Sequence, residues 1–158
     1  MERLAQVLTF VAALGSGVVA GLFFIFSVCI MAALGRLSPA SGIAAMQSIN
    51  VTILNGIFLS TFMGTAGISA ILIIGWLTGW IPAGALAAAG GTVYLAGIIA
   101  VTMIFNVPMN DALDAVRPDS PDGAALWQDY LSRWTMWNHV RTVSGLGATG
   151  LFILAFRA

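Results

Sequence analysis

Long uncharged stretches constrain this chain more than any other feature of its sequence. No charged residue occurs in residues 4–35, and none occurs in residues 37–110. A helix that crosses the hydrocarbon core of a bilayer needs about 20 predominantly apolar residues. Charged residues make up only 8% of the chain, against about 25% in a soluble domain. The sequence therefore predicts an integral membrane protein.

Four membrane-spanning helices fit these stretches. The first stretch holds one helix and the second holds two, which turn-forming residues around Gly79 and Pro82 separate. A further apolar segment follows Arg141. The sequence predicts an all-α, antiparallel four-helix bundle that forms a single domain over residues 1–158. The helices are expected at about 4–35, 41–78, 83–107 and 123–157.

The charge pattern excludes some partners and indicates an orientation. The formal net charge is zero, so the basic footprint of a nucleic-acid-binding protein is absent. Four arginines lie on or near one side of the predicted bundle and two on the other: Arg36, Arg117, Arg133 and Arg141 against Arg3 and Arg157. The positive-inside rule then favours termini outside, in a bacterial inner membrane. The bilayer is the expected environment, and homo-oligomerisation stays open.

Uncharged polar residues gather toward one end of the predicted bundle. In an up-down bundle, the end of helix 1, the start of helix 2, the end of helix 3 and the start of helix 4 meet at one membrane face. These parts contain Ser27, Gln47, Asn50, Asn55, Asn106, Asn110, Trp134, Trp137, Asn138, His139 and Arg141. Buried amides are costly in lipid unless they are paired, and intramembrane ionisable residues indicate function. We therefore predict a binding site at this end.

Spacing on helix 4 supports this prediction. Trp134, Asn138 and Arg141 recur at i, i+4 and i+7, which places them on one helix face. His139 lies about 100° from Asn138, at the edge of this stripe. Two structural interpretations stay open here: the amides only join helices, and Arg141 extends to the headgroups.

The connection before helix 4 predicts local structure rather than a metal site. Ser120-Pro121-Asp122 is typical of a helix start. Asp129 and Arg133 are spaced to pair at i, i+4. The chain has one histidine and one cysteine, and its five aspartates all fall in this connection. We therefore expect no metal.

Four short motifs carry a resemblance to a known family. They are GLFFIFS at 21–27, MQSIN at 46–50, NVPMN at 106–110 and WTMWNHVRT at 134–142. Together they resemble the anthrone oxygenase-like family of small four-helix membrane proteins. The resemblance implies oxygenation of a lipophilic aromatic substrate, an anthrone or a hydroquinone-like compound, by molecular oxygen without a cofactor.

Such chemistry needs a base, an oxyanion stabiliser and an apolar slot. His139 is the only side chain whose ordinary pKa, near 6.5, suits a base. Arg141 and Asn138 are the candidates for holding the developing oxyanion. The expected substrate-binding residues are Gln47, Asn50, Asn106, Asn110, Trp134, Trp137 and Phe23.

Other functions fit parts of the same pattern. A non-catalytic protein that binds a quinone or another lipophilic molecule would use the same polar end. A purely structural subunit would tolerate polar-to-apolar changes there. A proton-coupled exporter is disfavoured because it relies on an intramembrane acid, and no acid occurs between Arg3 and Asp111.

Overall fold

Residues 2–81 and 84–157 are described by the computed structural model. Within these ranges the chain forms five helices, and all except the second are long and apolar enough to cross a membrane. The helices are α1 (Glu2–Leu34), α2 (Pro39–Thr52), α3 (Gly56–Leu77), α4 (Ala85–Asp114) and α5 (Pro121–Arg157). The predicted all-α bundle with four spans is confirmed, and the protein is a membrane protein.

The four spans form a square antiparallel bundle. α1 packs against α3 and α5, and α4 packs against the same two helices. Small residues permit close approach, because a Cβ added at Gly145 would lie 2.8 Å from the Cβ of Ala20. At Gly91 the added atom would lie 2.8 Å from the Ser69 carbonyl oxygen. Small residues at helix interfaces are the usual means of packing in membranes.

The second predicted helix is the main correction. One continuous helix was expected over 41–78, but the structure has two, α2 and α3, separated at residues 53–55. Asn55 adopts an extended backbone conformation, and its Oδ1 accepts hydrogen bonds from the backbone amides of Ile57 and Phe58 at 3.1 and 3.0 Å. Asn55 is thus the exposed N-cap of α3. Because the Asn55 side chain takes these amide hydrogen bonds in place of a backbone carbonyl, the preceding helix ends before it.

We expect Asn55→Ala to lower the free energy of unfolding by about 1 kcal/mol, because two amide donors at the start of α3 lose their acceptor. Asn55→Asp keeps the acceptor and should stay close to the wild type. Thermal unfolding of the purified protein in detergent measures both variants. Equal unfolding temperatures for the alanine variant and the wild type would contradict the capping role.

The third span also differs from its predicted bounds. α4 continues through Pro108 to Asp114, whereas its end was expected near residue 107. The predicted start at residue 83 lies outside the described residues. Two π-helical segments, Leu95–Ala100 and Thr102–Asn106, precede Pro108. A π-turn shifts the backbone hydrogen bonds by one residue. The helix can therefore continue through Pro108 although proline lacks the amide donor.

Two apolar clusters are stacked along the bundle. The lower cluster lies where the four spans pack against one another and includes Phe62, Tyr94 and Phe152. The upper cluster joins α2 to the neighbouring ends of α1, α4 and α5, and we call this part the headpiece. Its buried members are Phe26, Met31, Leu34, Ile43, Met46, Leu113, Trp127, Tyr130 and Trp134. The polar residues described next lie between the two clusters.

Candidate functional site

A polar layer lies between the two apolar clusters, and Asn138 occupies its centre. Its members are Ser27, Thr102, Asn138, Arg141 and Thr142. The Asn138 side chain is fully buried. The amide Nδ2 donates to the Phe23 carbonyl oxygen and to Ser27 Oγ, both at 2.7 Å. The amide Oδ1 accepts from the Arg141 guanidinium at 2.8 Å. One side chain therefore joins α1 to α5 and holds the arginine.

A chain of hydroxyl groups fixes the direction of these bonds. Thr142 Oγ1 donates to the Asn138 carbonyl oxygen at 2.9 Å. Its proton is thereby used, so Ser27 Oγ, 3.1 Å away, donates to Thr142 Oγ1. Ser27 in turn accepts from Asn138 Nδ2. The amide of Asn138 must therefore present its oxygen, and not its nitrogen, to Arg141.

Arg141 is buried within this layer with only 4% of its surface exposed. Its Cζ lies 4.2 Å from the centroid of the Phe23 ring and 4.9 Å from that of Trp134. One terminal nitrogen donates to Thr102 Oγ1 at 3.2 Å. The Nε–H has no hydrogen-bond partner. The guanidinium is held by neutral groups and aromatic faces, and its Nε–H stays unused.

No carboxylate within residues 2–81 and 84–157 pairs with Arg141. The ion pairs in these ranges are Arg117 with Asp119 and Arg133 with Asp129, both exposed and both at 3.2 Å. The second of these is the pair predicted from i, i+4 spacing. Burying a cation without a counter-charge is costly, especially in a membrane. The layer therefore carries an uncompensated positive charge that favours an anion.

Asn110 links the polar layer to the headpiece. Its Oδ1 accepts from the Tyr130 hydroxyl and from Trp134 Nε1, both at 2.8 Å. Asn50, on α2, is half-buried, and its role in binding stays a prediction. Because the Trp134 ring lies against Arg141, the indole connects this junction to the guanidinium. Side chains from α4 and α5 thus meet at this junction.

Five of the predicted site residues belong to this assembly: Phe23, Asn110, Trp134, Asn138 and Arg141. Asn106 is also buried there, donating from Nδ2 to the Trp134 carbonyl oxygen at 3.3 Å. The stripe predicted on helix 4 is buried at all three positions.

Three other predicted residues lie apart from the polar layer. Gln47 Nε2 donates to the carbonyl oxygens of Leu113 and Val116, at 2.8 and 3.1 Å, and so caps the end of α4. Trp137 stacks on Phe105 with the ring centroids 3.5 Å apart. His139 is exposed on α5. The structure does not bring these side chains to the guanidinium, and their roles in binding or catalysis stay predictions.

Some members of the layer were not predicted as site residues. Thr102 accepts a hydrogen bond from Arg141, Thr142 donates one to the Asn138 carbonyl oxygen, and Tyr130 donates one to Asn110. A weak signal existed, because Thr142 follows Asn138 by four residues and Thr102 precedes Asn106 by four. Residues at this spacing share a helix face.

Two surface grooves lie near the spans, and neither is lined by Arg141. One, of about 240 Å³, lies between α4 and α5 and is lined in part by Phe105, Tyr130 and Trp137. The other, of about 320 Å³, lies between α1 and α3. Among the described residues, no three His, Cys, Asp or Glu side chains are grouped as metal ligands.

These observations define a class of protein: an integral membrane four-helix bundle built around a buried arginine that has no carboxylate partner among the described residues. The family model described as anthrone oxygenase matches residues 57–151, which is more than half of the chain. The chain belongs to the anthrone oxygenase family. The match includes Asn106, Asn110 and the whole stripe on α5, but not α1 or α2. No curated protein and no solved structure matches the chain.

Proposed function

We propose that this protein is a membrane oxygenase that converts an anthrone or a hydroquinone-like aromatic with molecular oxygen. Arg141 is proposed to hold the anionic oxygen of the substrate. One observation carries the proposal: the guanidinium is buried, has no carboxylate partner in the described part of the chain, and keeps Nε–H unpaired. Preorganised donors aimed at developing negative charge are a major source of catalysis in water-excluded sites.

The proposed reaction balances without a further redox partner. Loss of a proton from the ring CH₂ of an anthrone places negative charge on the carbonyl oxygen, which Arg141 binds. The carbanionic carbon then forms a C–O bond with dioxygen. Cleavage of the O–O bond and loss of the second C–H proton give a new carbonyl group and one water. The carbon loses four electrons and dioxygen gains four.

The source of the base separates two versions of this mechanism. The sequence-based hypothesis assigns proton removal to His139, whose side chain is exposed. The second version needs no protein base, because a buried cation favours binding of a substrate that has ionised in water.

We expect His139→Ala to change the rate of oxygen uptake by less than about threefold, whereas loss of a general base costs roughly 10²–10⁴-fold. The measurement is oxygen consumption as a function of anthrone concentration at several pH values. A loss of the larger size, recovered partly by added imidazole, would instead establish His139 as the base.

A non-catalytic role in binding a quinone or another lipophilic molecule is the second candidate. It is favoured by the composition of the polar layer, in which Asn138, Ser27, Thr102 and Thr142 supply no titratable base at neutral pH. This candidate predicts binding of the aromatic compound without oxygen consumption.

The experiment that tests the proposal is oxygen uptake by the purified protein in detergent. The substrates are a panel of anthrones and hydroquinones, measured with and without chelator, and the product is followed by absorbance. Arg36→Gln, at an exposed cation of the headpiece, is the matched control and should retain activity. Uptake no faster than in protein-free buffer, with binding retained, would reject the oxygenase in favour of the second candidate.

The membrane and the orientation are also proposals. We propose a bacterial inner membrane with both termini outside. In the structure, Arg36, Arg117 and Arg133 lie at the headpiece end and Arg3 and Arg157 at the other. The positive-inside rule then favours a headpiece on the cytoplasmic side. Cysteine labelling of either end in intact cells would test this placement.

A further inference from the structure

The groove between α4 and α5 lies outside the polar layer and has a different character. Most of its wall is apolar and includes Phe105, Met109 and Trp137. Its edge carries two charged side chains, Asp129 and Arg133, which form an ion pair. No member of the polar layer lines this groove. An apolar surface with one positive and one negative group at its edge is suited to an amphiphile.

The groove lies at the level where charged residues give way to apolar ones on both helices. Residues 85–110 of α4 carry no charge, and Asp111 is the first charged residue of that helix. After Arg133, the next charged residue of α5 is the buried Arg141, and none follows until Arg157. Trp137 is half-buried at this level, and tryptophan is enriched where a span meets the headgroups. Lipid headgroups and the first part of the acyl chains therefore surround the groove.

The ion pair at the edge of the groove has binding capacity left. One terminal nitrogen of Arg133 donates to Asp129 Oδ2 at 3.2 Å. No other hydrogen bond within residues 2–81 and 84–157 uses either side chain, and both are more than half exposed. Exposed ion pairs contribute little to stability, so a ligand can bind to both partners at little cost. A guanidinium binds phosphate well, and a carboxylate binds an ammonium group.

The charges and the size of the groove favour one kind of occupant. Because Asp129 and Arg133 together have no net charge, an anionic headgroup attracted by the arginine is repelled by the aspartate. A zwitterionic headgroup, with a phosphate and an ammonium group, satisfies both. The groove of about 240 Å³ is smaller than the roughly 300–1,000 Å³ of pockets that enclose a whole small molecule. It therefore fits part of a larger amphiphile.

We propose that this groove binds a phospholipid of the phosphatidylethanolamine class. Arg133 binds the phosphate, Asp129 accepts hydrogen bonds from the primary ammonium group, and an acyl chain lies against Phe105 and Trp137. A primary ammonium group has three N–H donors, whereas the quaternary ammonium group of phosphatidylcholine has none. The site therefore distinguishes two lipids of equal net charge. It is separate from the polar layer and does not rest on the proposed function.

The test is native mass spectrometry of the purified protein in detergent. Phosphatidylethanolamine, phosphatidylcholine and phosphatidylglycerol with the same acyl chains are added at equal concentrations, and the retained lipids are counted. The first should bind roughly tenfold or more tightly than the second, because it alone adds charge-assisted hydrogen bonds to Asp129. Asp129→Asn should lose this preference and favour the anionic phosphatidylglycerol, since Arg133 is then uncompensated. Arg133→Gln should weaken binding of all three lipids.

The matched control is the second exposed ion pair, between Arg117 and Asp119, which has the same 3.2 Å separation and does not line the groove. Asp119→Asn should leave the lipid preference unchanged. Equal retention of phosphatidylethanolamine and phosphatidylcholine by the wild type would overturn the inference, as would a preference that survives Asp129→Asn. Tightest binding of phosphatidylglycerol by the wild type would overturn it too, and would indicate attraction to the arginine alone.

Discussion

Replacement of Arg141 by methionine is expected to abolish oxygen uptake without destabilising the protein. Among the described residues, the guanidinium is the only charged group in the polar layer, so the variant loses the charge that would stabilise an anionic oxygen. Removing one preorganised donor to an oxyanion costs about 10²–10³-fold in rate. We expect a loss of at least this size in the oxygen-uptake assay with anthrone.

The stability of Arg141→Met, unlike its activity, should not fall. Methionine loses two hydrogen bonds and the contacts of the cation with Phe23 and Trp134. It also removes a buried cation that has no carboxylate partner in residues 2–81 and 84–157, whose desolvation is costly. Methionine is flexible and packs well against aromatic rings. The unfolding temperature in detergent should therefore equal or exceed that of the wild type.

Two controls accompany this variant. Arg36→Met changes an exposed arginine and should retain both activity and stability. Arg141→Lys keeps the charge but loses the planar donor set, so it should retain part of the activity. A stable Arg141→Met protein that still consumes oxygen would show that the cation is not needed for the reaction.

Asn138→Leu should have the largest effect on stability in the polar layer, by about 3–5 kcal/mol. The change leaves Ser27 without its donor and removes the acceptor that the Arg141 guanidinium uses. It also removes the hydrogen bond to the Phe23 carbonyl oxygen, which joins α1 to α5. The cation remains buried with one fewer partner.

Denaturant or thermal unfolding in detergent measures this effect. Thr142→Val breaks only the last link of the hydroxyl chain and should cost no more than about 1–2 kcal/mol. The double variant Asn138→Leu/Arg141→Met removes the stranded cation and should recover part of the lost stability. A stability of Asn138→Leu close to the wild type would contradict the central position given to this amide.

The sequence predicted the spans well because hydrophobicity over about 20 residues determines them. It did not predict the break between α2 and α3, because residues 53–55 lie in a continuous apolar pattern and a cap depends on local backbone geometry. Asn55 carried the only signal, since asparagine is a favoured N-cap. The predicted end of the third span near residue 107 was wrong for a related reason. The π-helical segments let the helix continue through Pro108, and such segments have no simple sequence signature.

The site was predictable to the extent that spacing along a helix determines which residues share one of its faces. Trp134, Asn138 and Arg141 share a face on any regular helix, and all three are buried. His139 follows Asn138 by one residue, so the same geometry turns it about 100° away, and it is exposed. Partners on other helices, such as Thr102 and Tyr130, depend on the rotation of each helix in the bundle. Spacing along one helix does not determine that rotation.

The most direct test of the central claim is the ionisation state of a bound ligand. An anthrone or a phenol with a distinct absorbance band for its anion is titrated with acid and base in the presence of excess protein under nitrogen. The claim predicts that the anion band appears at a pH below the free ligand's pKa with wild-type protein, and that this shift is absent with Arg141→Met. A bound ligand that stays neutral over the same pH range as the free compound, in wild type and variant alike, would show that Arg141 does not hold a substrate oxyanion.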